Sequence, residues 1–142
     1  MQHRKFTLVA GIALASLTLL AACGNSQEKA REAALKAFEA QVRWSEFAGL
    51  VDHMHPEYLR QNPINSIDMS RLRQYRVTGY QLKSRTVDSD GKRLRQVVEL
   101  RLYNKNTAVE RVIDHRQDWR WDEQRESWLL HSGLPDPSRA AR

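Results

Sequence analysis

Near Gln61 the spacing of apolar residues changes from a helical period to the period of two that marks strands, and this change restricts the fold most. Upstream, Gln27 to Arg43 (QEKAREAALKAFEAQVR) is built of strong helix formers, with Leu35, Phe38 and Val42 on one stripe. Asn25 or Ser26 suits the cap, because a side-chain oxygen there accepts a hydrogen bond from a first-turn amide. Glu28 suits the positive end of the helix. A second helical stretch, Ser45 to Met54, carries Phe47, Leu50, Val51 and Met54, with Ser45 as its cap. Pro56 disfavours helical geometry at His55 and is expected to end that helix.

Downstream, Asn62 to Asn65 reads as a loop, and three turn signals follow at Asp88–Gly91, Asn104–Asn106 and Asp122–Gln124. In the segment Leu94 to Leu102, the residues Leu94, Val98, Leu100 and Leu102 point one way. Arg93, Arg95, Glu99 and Arg101 flank them on the other. Val109 to Trp121 puts Val109, Ile113, Trp119 and Trp121 on one face, and Trp128 to Leu130 is a short last strand. Leu72 to Val87 is long, and its alternation slips near Gly79, where a bulge resets the phase. Helices first and hairpin-linked strands second is the order of an α+β domain. The expected architecture is N-terminal helices packed across a curved antiparallel sheet of about four strands.

The chain opens with His3, Arg4 and Lys5 and then runs uncharged from Phe6 to Ala22, the pattern of a secretory leader. The run is short for a membrane span. Leu20-Ala21-Ala22-Cys23 resembles the bacterial lipobox, an aliphatic residue and two small ones before the cysteine to be lipidated, and Cys23 is the sole cysteine. The resemblance implies cleavage before Cys23 and a diacylglyceryl thioether on it. Gly24, where inner-membrane retention favours Asp, implies the periplasmic face of the outer membrane. The expected layout is a leader at 1–22, a lipidated tether at 23–26, one domain at 27–134 and a flexible tail at 135–142. With its one cysteine lipidated, the domain folds without a disulfide and relies on its core.

Without Arg4 and Lys5 there are 21 basic and 17 acidic residues, and the excess lies between Gln61 and Asp118, with 12 basic and 7 acidic. Such an excess keeps a sheet soluble, or meets anionic partners. Nucleic acid is excluded by the compartment, which leaves a periplasmic protein or an envelope polymer beside the membrane itself.

The paired helices with a break at Trp44-Ser45, the His55-Pro56 pair after them, and the ending DWRWDEQRESWLLHSGLP together resemble the nuclear-transport-factor-2-like group. That resemblance implies a cone-shaped, cystatin-like fold, whose members include isomerases, dehydratases and many proteins without catalysis. In its enzymes a pocket Asp or His acts as base and a Tyr stabilises an oxyanion. The pocket residues this implies are Asp52, His55 and Tyr58, walled by Trp44, Trp119 and Trp121.

The spacing of the residues themselves argues against an acid–base site, because Asp52, His53 and His55 spread around a helix end. His53 and His55 share a face only in extended chain, and no cysteine remains to help bind a metal. No Gly-rich phosphate loop, Ser-x-x-Lys or nucleophile elbow is present, and no cofactor is expected. The tryptophans suit a core. The tetrapeptide RLRQ occurs at Arg71–Gln74 and again at Arg93–Gln96. If each copy begins a strand, Arg71, Arg73, Arg93 and Arg95 form one face for oxyanions such as lipid phosphates or peptidoglycan carboxylates. The leading expectation is a non-enzymatic, lipid-anchored module that binds a partner.

Overall fold

The computed structural model describes residues 16–139, and for 16–25 the backbone alone. Leader residues 1–15, tail residues 140–142 and the side chain of Cys23 lie outside that description.

Helix α1 runs from Ser16 to Arg43, straight through Asn25 and Ser26 instead of starting there. Residues 23–26, expected as a tether, are helical backbone continuous with the domain's first helix. The stripe is as expected: Leu35, Phe38 and Val42 are buried, with Ala30 and Ala34 partly so. The second stretch is a tighter 3₁₀ turn, Phe47–His53, and Ser45 does not cap it. Ser45 adopts a left-handed φ of 60°, and its Oγ accepts the Val77 N–H at 2.9 Å, tying the turn to the sheet.

Pro56 ends the helical path as expected, with His55 extended at φ −66° and ψ 132°, and then itself begins a new helix. Helix α2 spans Pro56–Gln61, with Pro in the first turn, where the missing N–H would have no partner in any case. His55 Nδ1 accepts the Glu57 N–H as the cap. A third helix, α3 (Ser66–Leu72), occupies a stretch that reads as strand or loop. Asn65 Oδ1 caps it by accepting the Asp68 N–H at 2.7 Å.

The strands are β1 (Tyr75–Val87), β2 (Arg93–Asn104), β3 (Glu110–Asp122) and β4 (Ser127–Leu130), in the order β1-β2-β3-β4 and all antiparallel. The register slips between Val77 and Gly79, as expected, and again between Leu82 and Ser84. Gly79 lies against the Arg101 stem, where a Cβ would stand 3.2 Å from its carbons. Val109 precedes β3 and is exposed, while Ile113 and Trp119 on the predicted face are buried. The sheet does not close into a barrel. The protein is thus an α+β domain with its helices on one face of a curved four-stranded meander.

The core joins α1 and the 3₁₀ turn to the sheet. Phe38 meets Trp119 edge-on at 5.3 Å and His53 at 5.5 Å, and lies nearly parallel to His115 at 6.0 Å. After β4 the chain continues as a strap. His131 donates its N–H to the Asp118 carbonyl, and Arg111 donates to the Pro137 carbonyl. Pro135 and Pro137 are buried, so residues 135–139 dock on the domain instead of forming the free tail expected from Pro135 onward.

Candidate functional site

The six residues implied for a pocket do not converge. Trp44 is 79% exposed, Asp52 is exposed, and Trp119 is fully buried in the core. Trp121 lies against Trp128 with ring centroids 6.1 Å apart. His55 turns away to donate from Nε2 to Asp122 at 3.1 Å, and its ring stacks on His131 at 4.5 Å. Tyr58 borders a surface cleft beside the strap, with Gly133 and Leu134. Between helices and sheet the rings of His53, His115 and Trp119 pack around Phe38, and an open cleft outside them is bordered by Tyr58, Asp114, His115 and His131.

A chain of hydrogen bonds crosses that interior, and the sequence reading missed it. Arg85 Nε donates to Gln96 Oε1 at 2.9 Å, and Gln96 Nε2 donates to Gln117 Oε1 at 2.7 Å. The same oxygen accepts Trp119 Nε1–H at 2.9 Å. Gln117 Nε2 then faces His115 Nδ1 at 3.2 Å, and His115 Nε2 faces the Gly133 carbonyl at 2.9 Å. These partners require a neutral imidazole protonated at Nε2, with the Nδ1 lone pair occupied. Burial pushes the His115 pKa down to about 4, against the opposing pull of the Gly133 carbonyl. With neither nitrogen open to a substrate, His115 is a packing element that fastens β3 to the strap. The signal for it was the period of two, which places Gln96, His115 and Gln117 on the buried faces of β2 and β3. Burial also lowers the pKa of His53, whose Nε2 donates to Gln41 Oε1 at 3.2 Å.

The four arginines do not form one face either. The first RLRQ closes α3, where Leu72 is buried, and the second opens β2. Arg93 lies 11 positions along β2 from Asn104, about 35 Å at 3.3 Å per residue. Arg71 and Arg73 stand at the Asn104 end, since Lys105 donates its N–H to the Gln74 carbonyl. Arg93 is paired with Asp118 through two bonds of 2.8 and 2.9 Å, Arg95 with Asp88 at 2.8 Å, and Arg71 with Asp68 at 3.2 Å. Among the described residues, no group of three His, Cys, Asp or Glu side chains is placed to hold a metal. No helix among them is long and apolar enough to cross a membrane.

The geometry does separate two ends. Helix α1 runs alongside the sheet from the β3–β4 tip to the start of β1. At its beginning Trp128 Nε1 donates to the Gln27 carbonyl at 3.1 Å. At its close Ser45 meets Val77, three residues from the Lys105–Gln74 contact. The first, or hairpin, end holds the turns Asp88–Lys92 and Asp122–Ser127, joined by the Trp121 N–H to the Lys92 carbonyl and by Lys92 to Glu123 at 2.6 Å. The second, or α3, end holds Trp44, α3 and the β2–β3 turn. Among the described residues, the three most exposed large apolar side chains all belong to the α3 end: Trp44, Ile67 at 66% and Val109 at 51%. Tyr103 stands beside them at 37%. Of the rest, Val87 at 39% stands at the hairpin end and Leu82 at 44% between the two, and scattered exposed apolar residues of this kind are ordinary.

No protein-family model and no curated protein matches this chain.

Proposed function

We propose that this protein is a periplasm-facing outer-membrane lipoprotein, held by lipid on Cys23, that presents its α3 end to a protein partner and carries out no chemistry itself. One observation carries the binding half: the interior is packed with aromatic rings, while Trp44, Ile67 and Val109 are exposed together at the end remote from Cys23. The leader pattern supports the anchoring half, since burial of two acyl chains gives stable membrane attachment. Helices on one face of a meander also suit the nuclear-transport-factor-2-like resemblance, with the interior used for packing.

The test places a photo-crosslinking residue at Ile67 or at Gln124 in living cells. Ile67 should yield a protein adduct of one defined mass, and Gln124 should not. Cys23→Ser should release the protein from the membrane fraction, because serine cannot take the thioether. Absence of an adduct at Ile67 overturns the binding half. Unchanged partitioning and mass in Cys23→Ser overturn the anchoring half.

A further inference from the structure

We infer that the hairpin end of the domain lies directly against the bilayer surface, held in one orientation because no flexible tether separates Cys23 from the fold. The inference rests on the lipid anchor proposed above and adds the surface that meets the membrane. Gln27 is fixed to the sheet by its carbonyl, which accepts Trp128 Nε1–H, and Arg31 stands over the Trp128 ring at 5.9 Å. Cys23 belongs to the same helix four residues earlier, about 6 Å along the axis at 1.5 Å per residue. A lipid on Cys23 therefore brings the headgroup layer to the first turns of α1. What stands beside those turns is the pair of tips Asp88–Lys92 and Asp122–Ser127, whose residues Ser89, Asp90, Lys92 and Glu123 to Glu126 are exposed.

One further feature fits a headgroup surface. Trp121 is partly exposed at this end, beside the buried Trp128, and an indole favours the membrane interface, where one edge is apolar and the other wet. The basic residues at the tips already have acidic partners: Lys92 has Glu123, Arg125 has Asp122, Arg95 has Asp88, Arg93 and Arg120 share Asp118, and Asp90 and Glu126 add two further acids. Contact with the bilayer is therefore set by the anchor and the rigid helix, and not by the salt-sensitive attraction of a basic patch.

The experiment uses the intact lipidated protein in phosphatidylcholine–phosphatidylglycerol vesicles, with its mass measured first. A fluorophore is placed through Ser89→Cys or Gln124→Cys at the hairpin end, or Asn106→Cys at the α3 end, the lipidated Cys23 being unreactive. Lipids spin-labelled at the headgroup should quench Ser89 and Gln124 positions several-fold more than Asn106, at low and high salt alike. A flexible Gly-Ser insertion between Asn25 and Ser26 should erase the difference while the fold and the mass of the lipid persist. Equal quenching at both ends of a lipidated, uninserted protein overturns this inference and leaves the anchor standing. A mass without lipid overturns the anchor and the inference together.

Discussion

The hairpin end and the α3 end are built by opposite rules from the same sheet. At the hairpin end every strand tip is tied down: Lys92 to Glu123, Arg125 to Asp122, Trp121 to the Lys92 backbone, and Trp128 to α1. At the α3 end Trp44, Ile67 and Val109 are left in solvent. The difference is not one of composition, since charged residues occur at both ends. It lies in whether side chains find partners within the fold. An end whose groups satisfy one another holds its geometry, and an end that leaves large apolar groups bare is the one we propose a partner covers.

The largest effect expected is on both ends at once. Phe38 lies on α1 between its Gln27 and Ser45 anchor points and touches His53, His115 and Trp119, so it couples the helix to the sheet on which both ends depend. Phe38→Ala should cost about 3–5 kcal/mol in denaturant unfolding, the range for removing a fully buried aromatic ring. A loss under about 1 kcal/mol would show that the ends are held independently of α1 packing.

Next in size is a pH effect through His115. Its pKa is about 4 in the fold and about 6.5 when unfolded, so the unfolded chain takes up the proton first. The stabilisation is therefore complete above pH 6.5, declines as pH falls, and is gone below about pH 4. Over that window it amounts to roughly 3 kcal/mol. His53 and His131 are lowered in the same direction, chiefly by burial, and add to the slope. Urea unfolding from pH 7 to pH 4 should fall more steeply for the native chain than for His115→Gln, and equal slopes would contradict the locked neutral imidazole.

A smaller change separates the two ends. Trp128→Phe removes the indole N–H that holds the Gln27 carbonyl and should cost about 1–2 kcal/mol. Amide exchange should quicken in residues 27–31 and stay unchanged from Trp44 to Met54. Equal quickening in both segments would mean that the hairpin end has no separate hold on α1.

How much of this was legible depended on the length of each pattern. The α1 stripe and the alternation of β2 span enough residues for their periods to stand out, and the slip at Gly79 was visible as a phase error. Helix α3 has seven residues, too few for a period, and its Asn65 cap reads equally well as a loop residue. Pro56 stops the turn before it as expected, but the short helix it begins was not read, because the same proline that ends one helix also suits the first turn of the next. The two RLRQ copies carry one pattern into two structures, so which surface buries their leucine is decided by tertiary context. The six implied pocket residues are scattered for the same reason: packing sends Trp119 into the core and leaves Trp44 in solvent. Neither end is a motif, since each is assembled by topology from residues far apart in the chain. The one local hint was Trp44, a large apolar residue that falls off the Leu35–Phe38–Val42 stripe.

Trp44 therefore supplies the finest test of the comparison. At 79% exposure its ring has little packing to lose, and substitutions at such positions shift stability by under about 0.5 kcal/mol. Its neighbour Arg43 makes its own contacts, pairing with Glu39 at 2.8 Å and lying over the Tyr80 ring at 5.0 Å, so the end of α1 does not rely on the indole. Trp44→Ser should leave the unfolding curve and the membrane anchoring unchanged, yet abolish most of the adduct formed from Ile67. Buried tryptophans in contact surfaces contribute disproportionately to binding, commonly about 2 kcal/mol or more on truncation. Loss of stability with retention of the adduct would reverse the assignment, making the Trp44 indole part of the fold and leaving the α3 end without its central contact.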